Sequence, residues 1–404
     1  MKINNQQKNI PEGWQQVKLG NEIEIFNGGA FNSEDSSSVG IKWLKIANVG
    51  VQSIKWNSKS FLPKEYSDEY EKYKLKDGDI VVALTRPTLG QKLKIAKIAK
   101  NDLPSLLNQR VGKLKFSKRI NHKFGYNFLI LDRIAYEINQ LLAGTDPPNL
   151  SSHAFNYINI SLPPFSEQNR IVEVLETWDK YLEELSKKIE VKKKIKKGLM
   201  QKLLSGKVKL KGFSREWENV KLESVCNIVK NGIPEFRGIK KYFSTSALLD
   251  INKVINISYH ERPSRADMYP VISDIGMAKM KGTNRCFLIN NKLFKSIFST
   301  GFVFLRHNNM IVPKYLFYSI SNNRFQYMKD AYSASGIMGG INNGDLLSIK
   351  IKIPKDTKEQ QAIAEVLTTA DQEIETLEKK KKIIEAQKKY LLNNLITGKI
   401  RVLV

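Results

Sequence analysis

Residues 167–208 read EQNRIVEVLETWDKYLEELSKKIEVKKKIKKGLMQKLLSGKV, and residues 359–400 read EQQAIAEVLTTADQEIETLEKKKKIIEAQKKYLLNNLITGKI. The two stretches align without a gap, and about 18 of their 42 positions are identical. In the first, apolar residues recur at Ile171, Leu175, Trp178, Leu182, Leu185 and Ile189, then at Leu199 and Leu203. In the second they recur at Ile363, Leu367, Ala370, Ile374 and Leu377, then at Ile384, Leu391 and Leu395. Alternating steps of four and three over this length are a heptad seam, which predicts two long helices forming an antiparallel coiled coil. Lys192, Lys196, Lys381 and Lys388 interrupt the seam and make its C-terminal half wetter. Two amphipathic helices buried separately in their own domains are the alternative.

The ends of each stretch are marked by local chemistry. The prolines of SLPPF and IKIP stop a strand, and Ser166 or Thr357 is placed to cap the helix that follows. Gly206 and Gly398 stand where a helix wants a left-handed terminal residue. The whole unit is therefore repeated, stop signal included. A weaker echo joins WQQVKLGNEIEIFNGG (14–29) to WENVKLESVCNIVKNG (217–232), with Trp14 over Trp217 and Leu19 over Leu222. Short strand patterns (DIVVAL, FVFLRH, ISLPP) mix with the helical pattern NFLILDRIAYEINQLL, so each globular part reads as α+β. The expected organisation is a first globular domain (1–161), a central helix (162–208), a second globular domain (209–352) and a C-terminal helix (353–404). An antiparallel rod of two helices, each about 57 Å long at 1.5 Å per residue, would place the domains at its two ends.

With 404 residues the chain exceeds one ordinary core, and its formal charge is +26. A field of that size attracts polyanions, nucleic acid above all, though lysine-rich solvated helix faces would also produce it. The start MKINNQQKNIPEGW has no apolar core region, and no stretch approaches a membrane span, so a cytoplasmic location is expected. Two cysteines and four histidines show neither a disulfide framework nor metal-ligand spacing. Catalytic motifs also fail on inspection. DPPN (Asp146–Asn149) has Asn where a base-stacking aromatic would be needed. The SGK and TGK tripeptides end helices rather than opening them, and Val208 and Ile400 follow their lysines.

Binding residues are easier to nominate. In the first domain the candidates are Lys42, Lys45, Arg86, Asn108, Gln109 and Arg110. In the second they are Arg237, Lys240, Arg262, Arg265, Asn284 and Arg285. Arg reads guanine and Asn or Gln reads adenine in the major groove, while Lys engages phosphate. The run KKIEVKKKIKK (187–197) reads as a solvated helix face, or as a grip on phosphates.

Taken together, the doubled W..VKL openings, KDGDIVVALTRPTLG (76–90), LNQRVGKL (108–114), the helix starts LPPFSEQNRIVEVL and IPKDTKEQQAIAEVL, and the LLSGK and LITGK ends resemble the specificity subunit of Type I restriction–modification systems. The resemblance implies two target-recognition domains, each reading one half of a bipartite DNA sequence. It implies that the helices set the spacing and dock two methylation subunits. It further implies that these carry S-adenosylmethionine, that restriction subunits add ATP- and Mg-dependent translocation and cleavage, and that this chain is no enzyme and holds no cofactor. The second domain departs from the pattern, with YPVISDIGMAKMKGTNR (269–285) in place of the GDI…TR..G stretch. An asymmetric DNA target is therefore expected.

Overall fold

A computed structural model describes residues 10–403 except 58–59, 145, 214–215, 248–250 and 334–338. The chain divides into two compact units: residues up to 184 together with 381 onward, and residues 185–380. Each division point falls inside a long helix, Phe165–Leu203 or Thr357–Ile396, so each unit holds one half of both.

In the first unit, strand Gln15–Lys18 pairs antiparallel with Asn159–Leu162, just ahead of the first long helix. An antiparallel sheet follows, ordered Ile23–Asn27, Val111–Phe116, Ile80–Ala83 and Ile95–Lys97. The central IVVA is buried on both faces, which explains its unbroken apolar run. One face packs Ile23, Ile25, Val82 and Leu114 against Phe124, Phe128, Ile134 and Ile138 of helices His122–Leu129 and Asp132–Leu141. The other face joins Val81, Ala83 and Val111 to Leu44 and Leu107 of a smaller sheet, where Ile41–Leu44 runs parallel to Ser105–Leu107. The helical pattern NFLILDRIAYEINQLL is thus two helices, because Leu131 turns extended before Asp132 opens the second.

The second unit repeats the plan. Trp217–Lys221 pairs with Lys350–Pro354. An antiparallel sheet runs Cys226–Ile228, Phe302–His307, Ile275–Ala278 and Cys286–Leu288. A smaller sheet sets Lys240–Phe243 parallel to Ile297–Ser299. Helices Pro313–Ser321 and Asn323–Tyr332 cover the larger sheet, as their counterparts do in the first unit.

Within each unit the two helix halves run antiparallel. In the second unit, Lys196 pairs with Asp371 (2.5 Å), Lys192 with Glu373 (2.6 Å) and Lys193 with Glu378 (2.6 Å). In the first, Lys388 pairs with Asp179. The internal repeat that superimposes residue 167 on 359 turns the Lys196–Asp371 pair into Lys388–Asp179. Three of the four seam-breaking lysines thus meet a carboxylate of the facing helix, and the fourth, Lys381, meets Glu385 of its own helix. Ile171, Leu175, Leu185, Ile363, Leu367 and Ile374 are buried, and Trp178, Leu182 and Leu377 are half-buried.

The helix starts explain why the Glu-Gln dipeptide is doubled. Gln168 is fully buried: its Oε1 accepts the Asn121 amide (2.8 Å), while its Nε2 donates to the carbonyls of Pro163 and Arg119 (both 2.9 Å). Gln360 treats Val312, Pro354 and Met310 in the same way. The caps differ from expectation. The Gln168 amide bonds back to the Pro164 carbonyl, which leaves Ser166 inside the first turn. Asp356, not Thr357, accepts the Lys358 amide at the second start (2.8 Å), and its charge suits the positive helix end.

Each Glu binds the opening tryptophan of its unit: Trp14 Nε1 donates to Glu167 (3.0 Å) and Trp217 Nε1 to Glu359 (3.3 Å). The same indoles pack on Gly398 and Gly206, whose φ values are +70° and +67°. A Cβ at Gly398 would lie 2.4 Å from Pro11 Cγ, so only glycine fits. The two clasps differ in charge. Arg401 grips Glu167 with two nitrogens (2.6 and 2.8 Å). Glu359 has one buried oxygen without a hydrogen-bond partner among the described residues, and burial pushes its carboxyl above the ordinary range despite the Trp217 bond and nearby Lys209. A carboxyl whose folded pKa is raised destabilises the fold as pH rises. Glu359→Gln is therefore expected to leave the melting temperature unchanged or higher at neutral pH. Glu167→Gln should cost about 1–3 kcal/mol, read by urea unfolding. Equal losses in both variants would contradict this asymmetry.

Candidate nucleic-acid interface

In the first unit backbone hydrogen bonds tie four chain segments into one ridge. The Asn108 amide, just beyond strand Ser105–Leu107, donates to the Leu44 carbonyl (3.1 Å), which sets Asn108 beside Lys45. The Leu84 amide then donates to Arg110 (3.0 Å), the Arg86 amide to Pro148 (2.8 Å) and the Leu150 amide back to Leu84 (2.8 Å). Thr85 Oγ1 adds a bond to Asn149 Oδ1 (2.7 Å). The ridge therefore presents Lys45, Asn108, Gln109, Arg110 and Arg86, with the DPPN loop as its outer edge.

Arg86, Gln109 and Arg110 are exposed, and their side chains make no hydrogen bond or ion pair with described residues. Arg86 has φ of +47°, a conformation that costs a side-chain-bearing residue about 1–2 kcal/mol. Such strain persists where the surrounding backbone over-determines it, and here the Pro148 bond does so. Asn108 shapes the turn by accepting the Arg110 amide on Oδ1 (3.0 Å). Lys45 lies 3.6 Å above the Trp43 ring, and burial lowers its ammonium pKa. Lys42 is not part of the ridge: its ammonium is engaged by the carbonyls of Asn101 (2.6 Å) and Leu103 (3.3 Å).

The second unit builds the same ridge from different residues. The Lys279 amide donates to Gly301 (3.1 Å), Lys281 to Gly339 (2.8 Å) and Ile341 back to Lys279 (3.1 Å). Lys281 thus occupies the place of Arg86. Sequence reasoning missed it, although a signal was present. Asp79 and Asp274 each accept the amide three residues upstream, and each stands seven residues before the ridge cation. Arg265 joins the ridge through its carbonyl, which accepts the Thr300 amide (2.9 Å), and its side chain is exposed. Arg285 donates to the Thr245 carbonyl (2.8 Å), and exposed Asn284 precedes it. Lys240 is held elsewhere between Phe236 and Tyr269, and Arg262 stacks on Tyr259 (4.2 Å). Arg237 is exposed in the loop before strand Lys240–Phe243.

In both units the loop that carries the ridge cation is tied to the second covering helix. In the first unit Asn139 accepts from Thr88 (2.5 Å) and donates to the Gly90 carbonyl (3.2 Å), while Asp132 holds Lys92. In the second, fully buried Lys329 donates to the carbonyls of Met280 (3.0 Å) and Thr283 (3.1 Å) and pairs with Asp330 (2.9 Å). Asp330 accepts the Gly282 amide (3.1 Å). Burial pushes the Asp330 carboxyl up, yet the bonds from Lys329 and Gly282 outweigh it and hold it below the ordinary range. Among the described residues no group of His, Cys, Asp or Glu is arranged to hold a metal ion. None of their helices is long and apolar enough to cross a membrane. Cys226 and Cys286 are free thiols.

The architecture and sequence both have relatives. The chain is 39% identical over 206 residues to the Type I restriction enzyme MjaVIII specificity subunit of Methanocaldococcus jannaschii, a match covering 51% of this chain and 48% of that protein. It is 34% identical over 178 residues to the EcoAI specificity subunit of Escherichia coli, covering 42% and 30%. These matches thus span about half of the first relative's length and less than a third of the second's. A putative MjaX specificity subunit of M. jannaschii aligns at 26% over 97% of this chain and 95% of its own. In fold, the chain is similar to the S subunit of a Type I restriction–modification system from M. genitalium, with a TM-score of 0.56, 17% identity and 98% of both chains covered. A chain from a structure of type I R-M complex assembly and conformational transition gives 0.58 and 18%, covering 97% of this chain and all of that one. The family described as Type I restriction modification DNA specificity domain matches residues 11–195 and again 214–386, so this chain belongs to that family and carries its domain twice.

Proposed function

We propose that the chain is the non-catalytic recognition subunit of a Type I restriction–modification complex, and that each ridge reads one half of a bipartite DNA target. The observation that carries this reading is the duplicated ridge with unlike residues: Arg86, Gln109 and Arg110 in one unit, Lys281, Arg265 and Asn284 in the other. Arginine and amide side chains without a partner among the described residues have the donors that base edges accept, and lysine suits phosphate. Unlike ridges make an asymmetric target the expected one.

The long helices would dock two methylation subunits, which bring S-adenosylmethionine and modify adenine. Restriction subunits would bring ATP- and Mg-dependent translocation and cleavage. A cytoplasmic site of action follows from those partners. The experiment is selection from a random duplex pool by the chain together with a Type I methylation subunit. Enrichment of one bipartite sequence supports the reading; retention of duplexes without sequence preference would overturn it. Affinity for non-specific duplex should also fall with salt, by a log–log slope of about 0.9 per phosphate contacted.

A further inference from the structure

A cleft of about 1130 Å³ opens in the second unit beside the end of the first long helix. Its floor is apolar, formed by Met200, Leu204, Phe325 and Met328. Its rim carries Lys197, Lys202, Arg324 and Lys350, whose side chains make no hydrogen bond or ion pair with described residues. The two lining carboxylates, Asp371 and Glu378, are already engaged by Lys196 and Lys193.

The first unit shows how the same place is satisfied internally. There Lys389 of the second long helix pairs with Asp132 (3.0 Å), the first residue of helix Asp132–Leu141. The repeat that maps 167 to 359 makes Lys197 the counterpart of Lys389. The first residue of the matching helix, Asn323–Tyr332, is the neutral Asn323. The second unit thus has the cation without the carboxylate, and its Arg324, the counterpart of Arg133, is followed four residues on by Met328, where Arg133 has Glu137 as its ion-pair partner (3.5 Å).

We propose that this cleft docks an acidic amphipathic helix from a partner chain, one of whose carboxylates stands where Asp132 stands in the first unit. The proposal deepens the assembly reading above and rests on it. A duplex backbone would satisfy the rim but gain nothing from Met200, Leu204, Phe325 and Met328. A helix with one apolar and one acidic face satisfies both floor and rim, which is the helix-in-groove mode of recognition.

The probe is a fluorescein-labelled designed peptide of about five helical turns, with Leu and Ile on one face and Glu on the other. It is titrated against the full chain beside a scrambled peptide of identical composition. The ordered peptide is expected to bind at least about tenfold more tightly and to slow amide exchange at 197–207 and 322–328. Asn323→Asp, which rebuilds the internal carboxylate, should weaken it by about tenfold, and the double change Lys197→Glu and Arg324→Glu by more. Equal binding of both peptides overturns the proposal. So does binding untouched by the double change, or protection of these segments by non-specific duplex instead of peptide. Sequence-selective duplex binding by the unaltered chain, measured in parallel, reports separately on the recognition reading.

Discussion

Replacing Lys329 with alanine is expected to blind the second domain while the first still reads its half-site. Lys329 is fully buried, and its ammonium has three partners: the carbonyls of Met280 and Thr283 and the Asp330 carboxylate. Removing it leaves a carboxylate half-buried and two carbonyls unpaired beneath the loop that presents Lys281 and Asn284. Breaking a buried pair from one side costs about 3–5 kcal/mol, most of it local to the loop and helix Asn323–Tyr332. The informative readout is selection from a random duplex pool, run well below the melting temperature of the variant. Sequence preference should vanish at one half of the target and persist at the other. Equal loss at both halves would mean that Lys329 supports only global stability.

Arg86→Ala should act on the other half and without a stability penalty. The arginine is exposed, has no side-chain partner among the described residues and is held at a strained φ, so alanine relieves nothing and breaks no described contact. Loss of one base-reading arginine costs about 1–3 kcal/mol of discrimination, roughly fivefold to 150-fold, at one base pair. A uniform loss across all sequences would reassign Arg86 to phosphate. Arg86→Lys separates the cases further, since lysine retains a phosphate contact but not the two-pronged guanine contact.

The helices were legible because their signal is periodic and doubled: Ile171, Leu175, Ile363 and Leu367 recur on a fixed step and are buried. The Glu-Gln starts and the Gly206 and Gly398 ends stood out for the same reason, although their task, bracing a tryptophan and a neighbouring loop, required the fold. The candidate interface was legible only in part. Arg86 and Arg110 sit in recognisable turns, but Lys45, Asn108 and the DPPN loop meet only through the parallel pairing of Ile41–Leu44 with Ser105–Leu107 and the bonds of Leu84 and Arg86. Long-range pairing leaves no local trace. Lys329 gave no warning at all, since QYMKDAY reads as an ordinary charged helix face. Lys281 was hidden by lysine-rich surroundings and betrayed only by its spacing from Asp274.

The most direct test is a map of methylated adenine in DNA from cells that make this chain together with a Type I methylation subunit, compared with cells lacking the chain. One bipartite motif with two unlike halves, present only with the chain, is the predicted result. A palindromic motif, or a methylation pattern indifferent to the chain, would contradict the account of two different reading ridges on one polypeptide.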